Sequence, residues 1–84
     1  MPDLPSITDT LGWVMYKRGD YNAAIPLFQE RAQKTPDSAQ YHYHLGAALI
    51  ASGKKVKGIE QLQAALRLKL SESDALQARE LIAR

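Results

Sequence analysis

Apolar residues recur along the chain at intervals of three and four positions, and short polar segments separate them into five runs. The runs are Leu11, Val14 and Met15; Ala24, Ile25, Leu27, Phe28 and Ala32; Tyr41, Leu45, Ala48 and Leu49; Val56, Ile59, Leu62, Ala65, Leu66 and Leu68; and Ala75, Leu76, Ala78, Leu81 and Ile82. This spacing is typical of amphipathic helices, and no alternating pattern predicts a strand. The sequence therefore predicts an all-α fold of five helices.

The polar segments predict where the first two helices begin and end. Ser6 is expected to cap a first helix that ends at Gly19, and Asp20 is expected to cap a second. The second helix should stop before Pro36, because proline lacks an amide donor and disfavours the α conformation at the preceding residue. Pro26 lies inside this helix and should remove about one backbone hydrogen bond.

Similar signals bound the remaining helices. Asp37 or Ser38 should cap the third, and Gly53 should end it. The fourth is expected to run to about Leu70, and Ser71 begins a capping box ahead of the last helix. Loops of about two to five residues make consecutive helices antiparallel neighbours.

The first pair of helices and the second pair repeat each other at a period of 34 residues. Leu11, Gly12, Gly19, Ile25 and Gln29 realign with Leu45, Gly46, Gly53, Ile59 and Gln63. Such a period is typical of stacked helical hairpins, which cannot bury their apolar faces alone. Gly12 and Gly46 lie within helices, and we expect them to permit close approach of the partner helix at Ala24 and Gly58 respectively.

The repeated residues resemble the tetratricopeptide repeat (TPR) pattern. The first copy carries Leu11-Gly12, Met15, Gly19-Asp20-Tyr21, Ala24-Ile25, Phe28 and Pro36; the second carries Leu45-Gly46, Leu49, Gly53, Gly58-Ile59, Leu62 and Ala65. The resemblance implies an α-α superhelix of two antiparallel hairpins, repeat one at 5–38 and repeat two at 39–72, with a capping helix at 73–84, in a single domain of residues 1–84. The chain departs from the family pattern at Thr8, Arg31, His42 and Leu70.

Composition narrows the functional classes. The 84 residues are 45% hydrophobic and 24% charged, with a formal net charge of +2 and no cysteine. This is the composition of one ordinary globular domain without a disulfide framework or thiolate site. No apolar run is long enough to span a membrane, so we expect a soluble chain, cytoplasmic by default, although the sequence does not determine the compartment. The small net charge gives no reason to expect nucleic-acid binding.

The sequence offers no catalytic or metal-binding motif. No nucleophile–base pairing, glycine-rich phosphate loop or pair of carboxylates occurs, so we expect neither enzymatic activity nor a cofactor. His42 and His44 lie about 200° apart around one helix and cannot bind the same metal ion. His44 could respond to pH if it lines a groove. The basic cluster at Lys54, Lys55 and Lys57 is expected to be a solvated loop.

The TPR resemblance also implies a binding site, because the first helix of each hairpin lines a concave groove in that family. The predicted partner-binding residues are Asp9, Trp13, Tyr16 and Lys17 on the first helix and Tyr43, His44, Ala47 and Ile50 on the third. Helical spacing independently places the first set on one side of the first helix, and Tyr43, Ala47 and Ile50, with Ala51, on one side of the third. Family members that bind acidic tails use a carboxylate clamp, and Asp9, Trp13 and His44 stand where its lysine and asparagines would be. An apolar or aromatic peptide, or a partner helix, is therefore the expected ligand.

Two functional interpretations follow. In the leading one, the chain is a non-catalytic protein–protein interaction scaffold that binds a peptide or helix in this groove. In the alternative, the same face or the end of the stack mediates homo-oligomerisation, or the chain is the C-terminal part of a longer TPR array. Trp13 and Tyr43 could also simply pack against each other or beneath a neighbouring hairpin.

Overall fold

A computed structural model of the protein describes residues 4–84, apart from the side chains of Pro5 and Ser6. This part of the chain forms five α-helices and no strand: α1 Leu4–Lys17, α2 Tyr21–Lys34, α3 Ala39–Ala51, α4 Lys55–Arg67 and α5 Glu72–Ala83. The predicted all-α class is confirmed. Residues 1–3 of the predicted domain lie outside the described residues.

Short loops join the helices of each pair at the predicted glycines. Gly19 and Gly53 have φ angles of 88° and 95°, in the left-handed region that favours glycine. Each glycine ends its helix and lets the chain reverse direction within three residues, so α1 and α2 form one antiparallel hairpin and α3 and α4 form another.

Two of the predicted helix caps are present. The Ser38 side chain accepts a hydrogen bond from the Tyr41 amide at 3.3 Å, and the Ser71 side chain accepts one from the Asp74 amide at 3.3 Å. Both bonds satisfy an amide that has no partner within its helix. Asp20 occupies the cap position of α2 but makes no side-chain capping bond.

Two predicted boundaries are wrong. α1 begins at Leu4, so Ser6 lies inside the helix rather than at its cap. Pro5 does not prevent this earlier start, because an amide in the first turn has no helical partner to lose. α4 ends at Arg67 instead of about Leu70, and Lys69 follows with a φ angle of 78°, which takes the backbone out of the helical conformation.

The two mid-helix glycines allow close contacts, but with different partners. A Cβ built at Gly46 would lie 2.8 Å from the Gly58 carbonyl oxygen, which confirms the predicted approach of α3 and α4. A Cβ at Gly12 would lie 2.6 Å from the Phe28 ring. The atoms nearest to this position belong to the Phe28 ring rather than to Ala24, the predicted partner.

The core consists of two apolar clusters that share Trp13. The first lies between α2 and α3, with buried residues Ala24, Ile25, Phe28, Ala32, Leu45, Ala48 and Leu49. The second joins α3, α4 and α5 through buried residues Tyr43, Leu62, Ala65 and Ala78. Because α5 contributes Ala78 to the second cluster, with Leu81 and Ile82 packed against it, the last helix completes the core on the side of α3 and α4 away from α2.

α1 leaves one apolar face exposed. This face, which we call the α1 stripe, consists of Leu4, Ile7, Leu11 and Val14, and each of these residues is about half exposed or more. Their spacing of three, four and three residues places them along one side of the helix. Leu11 and Val14, two residues of the first predicted apolar run, therefore do not lie in the core.

Candidate functional site

The predicted groove residues of α1 and α3 face each other across a buried polar contact. His44 Nδ1 lies 2.8 Å from Asp9 Oδ1, and both side chains are buried. An ionised carboxylate only accepts hydrogen bonds, so the Nδ1 hydrogen of His44 is donated to Asp9. This bond joins the first helices of the two hairpins, and the two bonded residues are 35 positions apart in the sequence.

Trp13 lies at the centre of an aromatic cluster above this pair. Its ring stacks on the His44 ring, with centroids 4.1 Å apart and planes inclined by 20°. It also stacks on Tyr16, at 4.6 Å and 10°, and meets Tyr43 in a tilted contact at 6.0 Å. The Lys17 ammonium lies 5.0 Å from the centroid of the Trp13 ring, within the range of a cation–π contact.

Helical spacing and the glycine contact explain this arrangement. Asp9, Trp13 and Tyr16 follow one another at intervals of four and three residues, so they share one side of α1. Phe28 packs over Gly12, and its ring centroid lies 5.3 Å from that of His44. The close approach of α2 to α1 therefore places an apolar ring beneath the histidine.

The eight predicted partner-binding residues differ in how far solvent reaches them. Asp9, Tyr43, His44 and Ala47 are buried, Trp13, Tyr16 and Ile50 are partly buried, and Lys17 is exposed. Ile50 is directed in part toward α4, because a Cβ built at Gly58 would lie 2.5 Å from its Cγ1 atom. The accessible part of the predicted groove is therefore its α1 side, and the α3 residues form a packed floor.

α5 contributes to the burial of one of these residues, Tyr43. Leu81 and Ile82 pack against the cluster that contains Tyr43, and Trp13 and Ile50 pack against the same cluster. The capping helix thus lies across the α3 side of the predicted groove. We call the remaining accessible surface, formed by Trp13, Tyr16 and Lys17, the aromatic face.

Burial also affects the two tyrosines of the cluster. The pKa of Tyr16 is raised, mainly because partial burial disfavours the phenolate and secondarily because Tyr21 lies near it. The pKa of Tyr43 is raised for the same first reason, with a further contribution from the negative charge of Asp74. Both hydroxyl groups therefore remain neutral donors throughout the physiological pH range.

Sequence reasoning missed the two features that determine the shape of this site. No sequence motif links Asp9 to His44, and only the proximity of α1 and α3 brings the two residues together. The second feature is α5, whose Ala78, Leu81 and Ile82 were predicted as a helical run but not as a cover for Tyr43. In the sequence, the only signal that α5 would cover Tyr43 was the helical spacing of its apolar residues.

His42 has a structural role away from the aromatic face. Its Nε2 atom lies 2.7 Å from the Pro36 carbonyl oxygen, and its Nδ1 atom lies 2.7 Å from Gln61 Oε1. These bonds fasten the loop between α2 and α3 to α4. His42 and His44 thus face different neighbours, and residues 4–84 contain no group of three or more side chains that could hold a metal ion.

A second concavity lies between α2, α3 and α4. Its lining consists of Ile25, Gln29, Leu45, Leu49, Lys54, Lys57, Glu60 and Gln61. Its accessible groups are mainly long polar side chains, and it has no aromatic anchor. Among the described helices, none is long and apolar enough to cross a membrane.

Comparison with known proteins gives no match to a family model, a curated protein or a solved structure.

Proposed function

We propose that the chain is a non-catalytic, TPR-like protein-binding scaffold that holds an apolar or aromatic peptide segment on its aromatic face. The observation that carries this proposal is the stacking of the Trp13 ring on His44 and on Tyr16, because Trp13 and Tyr16 are themselves partly exposed. Tryptophan and tyrosine provide a large contact area with few rotatable bonds, and they are enriched among residues that dominate binding energy.

The buried pair beneath the stack supports this role. Asp9 holds His44 by a 2.8 Å bond, and His44 in turn supports the Trp13 ring at 4.1 Å. An anchor whose orientation is already fixed loses less conformational entropy when a ligand binds. Asp9, His44, Tyr43 and Ala47 therefore act beneath the surface, while Trp13, Tyr16 and Lys17 contact the ligand.

The ligand chemistry follows from the groups that solvent can reach. Trp13 and Tyr16 offer aromatic rings, and the charge of Lys17 is already engaged by the Trp13 ring. The Asp9 carboxylate is buried and bonded to His44, so it does not offer a free charge to a ligand. This surface suits an apolar or aromatic side chain better than a terminal carboxylate.

The test is a peptide-library selection against the immobilised chain, followed by fluorescence titration of individual binders through Trp13. We expect selected peptides to share an aromatic or large apolar residue and Tyr16→Ala to weaken their binding at least about tenfold, as for an interface anchor. Tyr41→Ala is the matched control, because Tyr41 is also partly buried but packs against the cluster between α2 and α3. Circular dichroism checks that both variants remain helical. Binders that respond equally to the two variants, or no binder tighter than about 1 mM, would contradict the proposal.

A further inference from the structure

His42 has an oxygen atom against each of its two ring nitrogens. Nε2 lies 2.7 Å from the Pro36 carbonyl oxygen, and Nδ1 lies 2.7 Å from Gln61 Oε1. A backbone carbonyl only accepts hydrogen bonds, so Nε2 carries a hydrogen in both the neutral and the charged ring. The proton that His42 can gain or lose is therefore the one on Nδ1, which faces Gln61.

The charge of His42 determines how the Gln61 amide is turned. In the charged ring both nitrogens donate, so the Nδ1 hydrogen is donated to Oε1, which is the orientation in the structure. In the neutral ring Nδ1 only accepts, and an amide oxygen has no hydrogen to donate to it. The amide must then rotate by half a turn and donate through its NH2 group instead. Protonation of His42 and orientation of Gln61 are thus linked.

Gln61 also lines the concavity between α2, α3 and α4. When its oxygen is bonded to His42, its NH2 group remains available as a donor, and when the amide is turned, the oxygen remains available as an acceptor. The concavity has a volume of about 320 Å³, within the usual range of small-molecule sites. Its floor is formed by the buried apolar residues Ile25, Leu45 and Leu49.

The charged groups at the rim of this concavity are mainly positive. Lys54 and Lys57 are both exposed there, and Glu60 is the single carboxylate of the lining. No ion pair within residues 7–84 involves these three side chains. The lining therefore combines two ammonium groups, an amide whose polarity depends on His42, and an apolar floor.

The polar groups of the concavity are not part of the internal repeat. A shift of 34 residues carries Lys54, Lys57 and Gln61 onto Asp20, Ala23 and Leu27. The same shift carries His42 onto Thr8. The first hairpin thus has the same backbone pattern without these side chains, so stacking of the hairpins does not require them.

From this geometry we propose that the concavity binds a small aliphatic carboxylate, and that His42 controls the affinity through Gln61. The carboxylate is held by the two lysines and the Gln61 NH2 group, and the aliphatic chain covers the apolar floor. A carboxylate only accepts hydrogen bonds, so it fits the amide orientation that the charged His42 requires. Binding and protonation therefore favour each other, and the affinity falls as pH rises. This site is separate from the aromatic face and does not depend on the function proposed there.

The pH dependence can be assigned to one residue. Histidine is the side chain that ordinarily changes charge between pH 5 and pH 8, whereas lysine and carboxyl groups ordinarily do not. The charged groups on the segments that meet His42 are Lys34 at the end of α2, Asp37 in the following loop, and Lys57 and Glu60 on α4. The other histidine, His44, is bonded to Asp9 on α1.

The experiment is a titration of the 84-residue chain with hexanoate at pH 6 and pH 8, followed by two-dimensional NMR of the ¹⁵N-labelled protein. 1-Hexanol is the uncharged control ligand. We expect saturable shifts at the backbone amides around the concavity, with a Kd of about 5 mM or tighter at pH 6 and at least about fivefold weaker binding at pH 8. The ¹⁵N resonances of the His42 ring should show Nε2 protonated at both pH values. At pH 7, added hexanoate should move the Nδ1 resonance toward its protonated value.

Two sets of variants test the roles of the side chains. Lys54→Gln with Lys57→Gln should weaken binding at least about fivefold at pH 6. The matched control is Lys55→Gln with Lys69→Gln, which removes the same charge from exposed positions outside the concavity and should change Kd by less than about twofold. His42→Gln should bind hexanoate equally at the two pH values. Circular dichroism checks that every variant remains helical.

Four outcomes would overturn the proposal. The first is the absence of saturable shifts around the concavity, and the second is 1-hexanol binding as tightly as hexanoate. The third is an equal loss of binding in the two lysine double variants, because any surface charge would then serve. The fourth is a wild-type affinity that does not change between pH 6 and pH 8, or a change that persists in His42→Gln.

Discussion

Replacing Asp9 by alanine should destabilise the protein because His44 would lose its buried hydrogen-bond partner. The two atoms lie 2.8 Å apart, and their side chains are 10% and 7% exposed, so water cannot readily take the place of the carboxylate. A hydrogen bond to a charged group contributes about 1.5–3 kcal/mol, and an unpaired buried donor has a desolvation cost of similar size. We therefore expect the free energy of unfolding to fall by about 2–3 kcal/mol.

Two further aspartate variants separate the bond from other effects. Asp9→Asn keeps an acceptor oxygen but loses the charge, so its effect should be smaller, about 1 kcal/mol. Asp37→Ala removes an exposed carboxylate from the loop before α3, and it should change stability by no more than about 0.5 kcal/mol. The expected order of stability is Asp37→Ala, then Asp9→Asn, then Asp9→Ala.

Urea denaturation provides the measurement, with circular dichroism and Trp13 fluorescence as two probes. Trp13 is the only tryptophan and stacks on His44, so its emission reports directly on the site. A double-mutant cycle with His44→Ala isolates the pairwise contribution, which should be about 1–3 kcal/mol. The reasoning is refuted if Asp9→Ala is no more destabilising than Asp37→Ala, or if the coupling is below about 0.5 kcal/mol.

Three other predictions concern a close helix contact, a helix cap and the two tyrosines of the site. Gly46→Ala should lower the free energy of unfolding by about 1–2 kcal/mol, as measured by urea denaturation. The added Cβ would lie 2.8 Å from the Leu62 side chain, and this overpacking should outweigh the gain in helix propensity. A neutral or stabilising result would contradict the close contact. Ser71→Ala should lower the free energy of unfolding by about 1 kcal/mol in the same assay, because α5 loses its cap. Ser71→Thr should retain most of the original stability, because threonine can also cap a helix. The raised pKa values of Tyr16 and Tyr43 mean that folding favours their neutral forms, so their contribution to stability is complete below the unfolded pKa of about 10 and is lost as pH rises through the folded values. Urea denaturation between pH 8 and pH 11 should show this loss, and Tyr16→Phe should reduce it; a flat profile would contradict it.

Local sequence signals predicted most of the helical architecture. Glycines at 19 and 53 and serines at 38 and 71 act within a few residues of where they occur, so their effects can be read from the sequence. The start of α1 and the end of α4 were predicted less well. Serine is compatible with a helix interior as well as with a cap, and nothing in the type of Lys69 indicates a positive φ angle.

The candidate site was predictable only in part, because it depends on contacts between distant residues. The spacing of Asp9, Trp13 and Tyr16 placed them correctly on one side of α1. The same reasoning could not show that Phe28 would pack over Gly12, or that Asp9 and His44 would bond. Both contacts depend on how closely the helices approach, and helical periodicity specifies the directions of side chains but not the distances between helices.

The position of α5 limits what the aromatic face can do. Because Ala78 is buried in the cluster that contains Tyr43, α5 covers the α3 part of the predicted site. Under the proposed function, a ligand would therefore meet Trp13 and Tyr16 rather than the α3 side chains. A surface with so few accessible anchors favours recognition of one or two ligand side chains, and tight binding of a longer segment would require α5 to move away from Tyr43. If the proposed function holds, the helix that completes the core also sets the size of the ligand that the chain accepts.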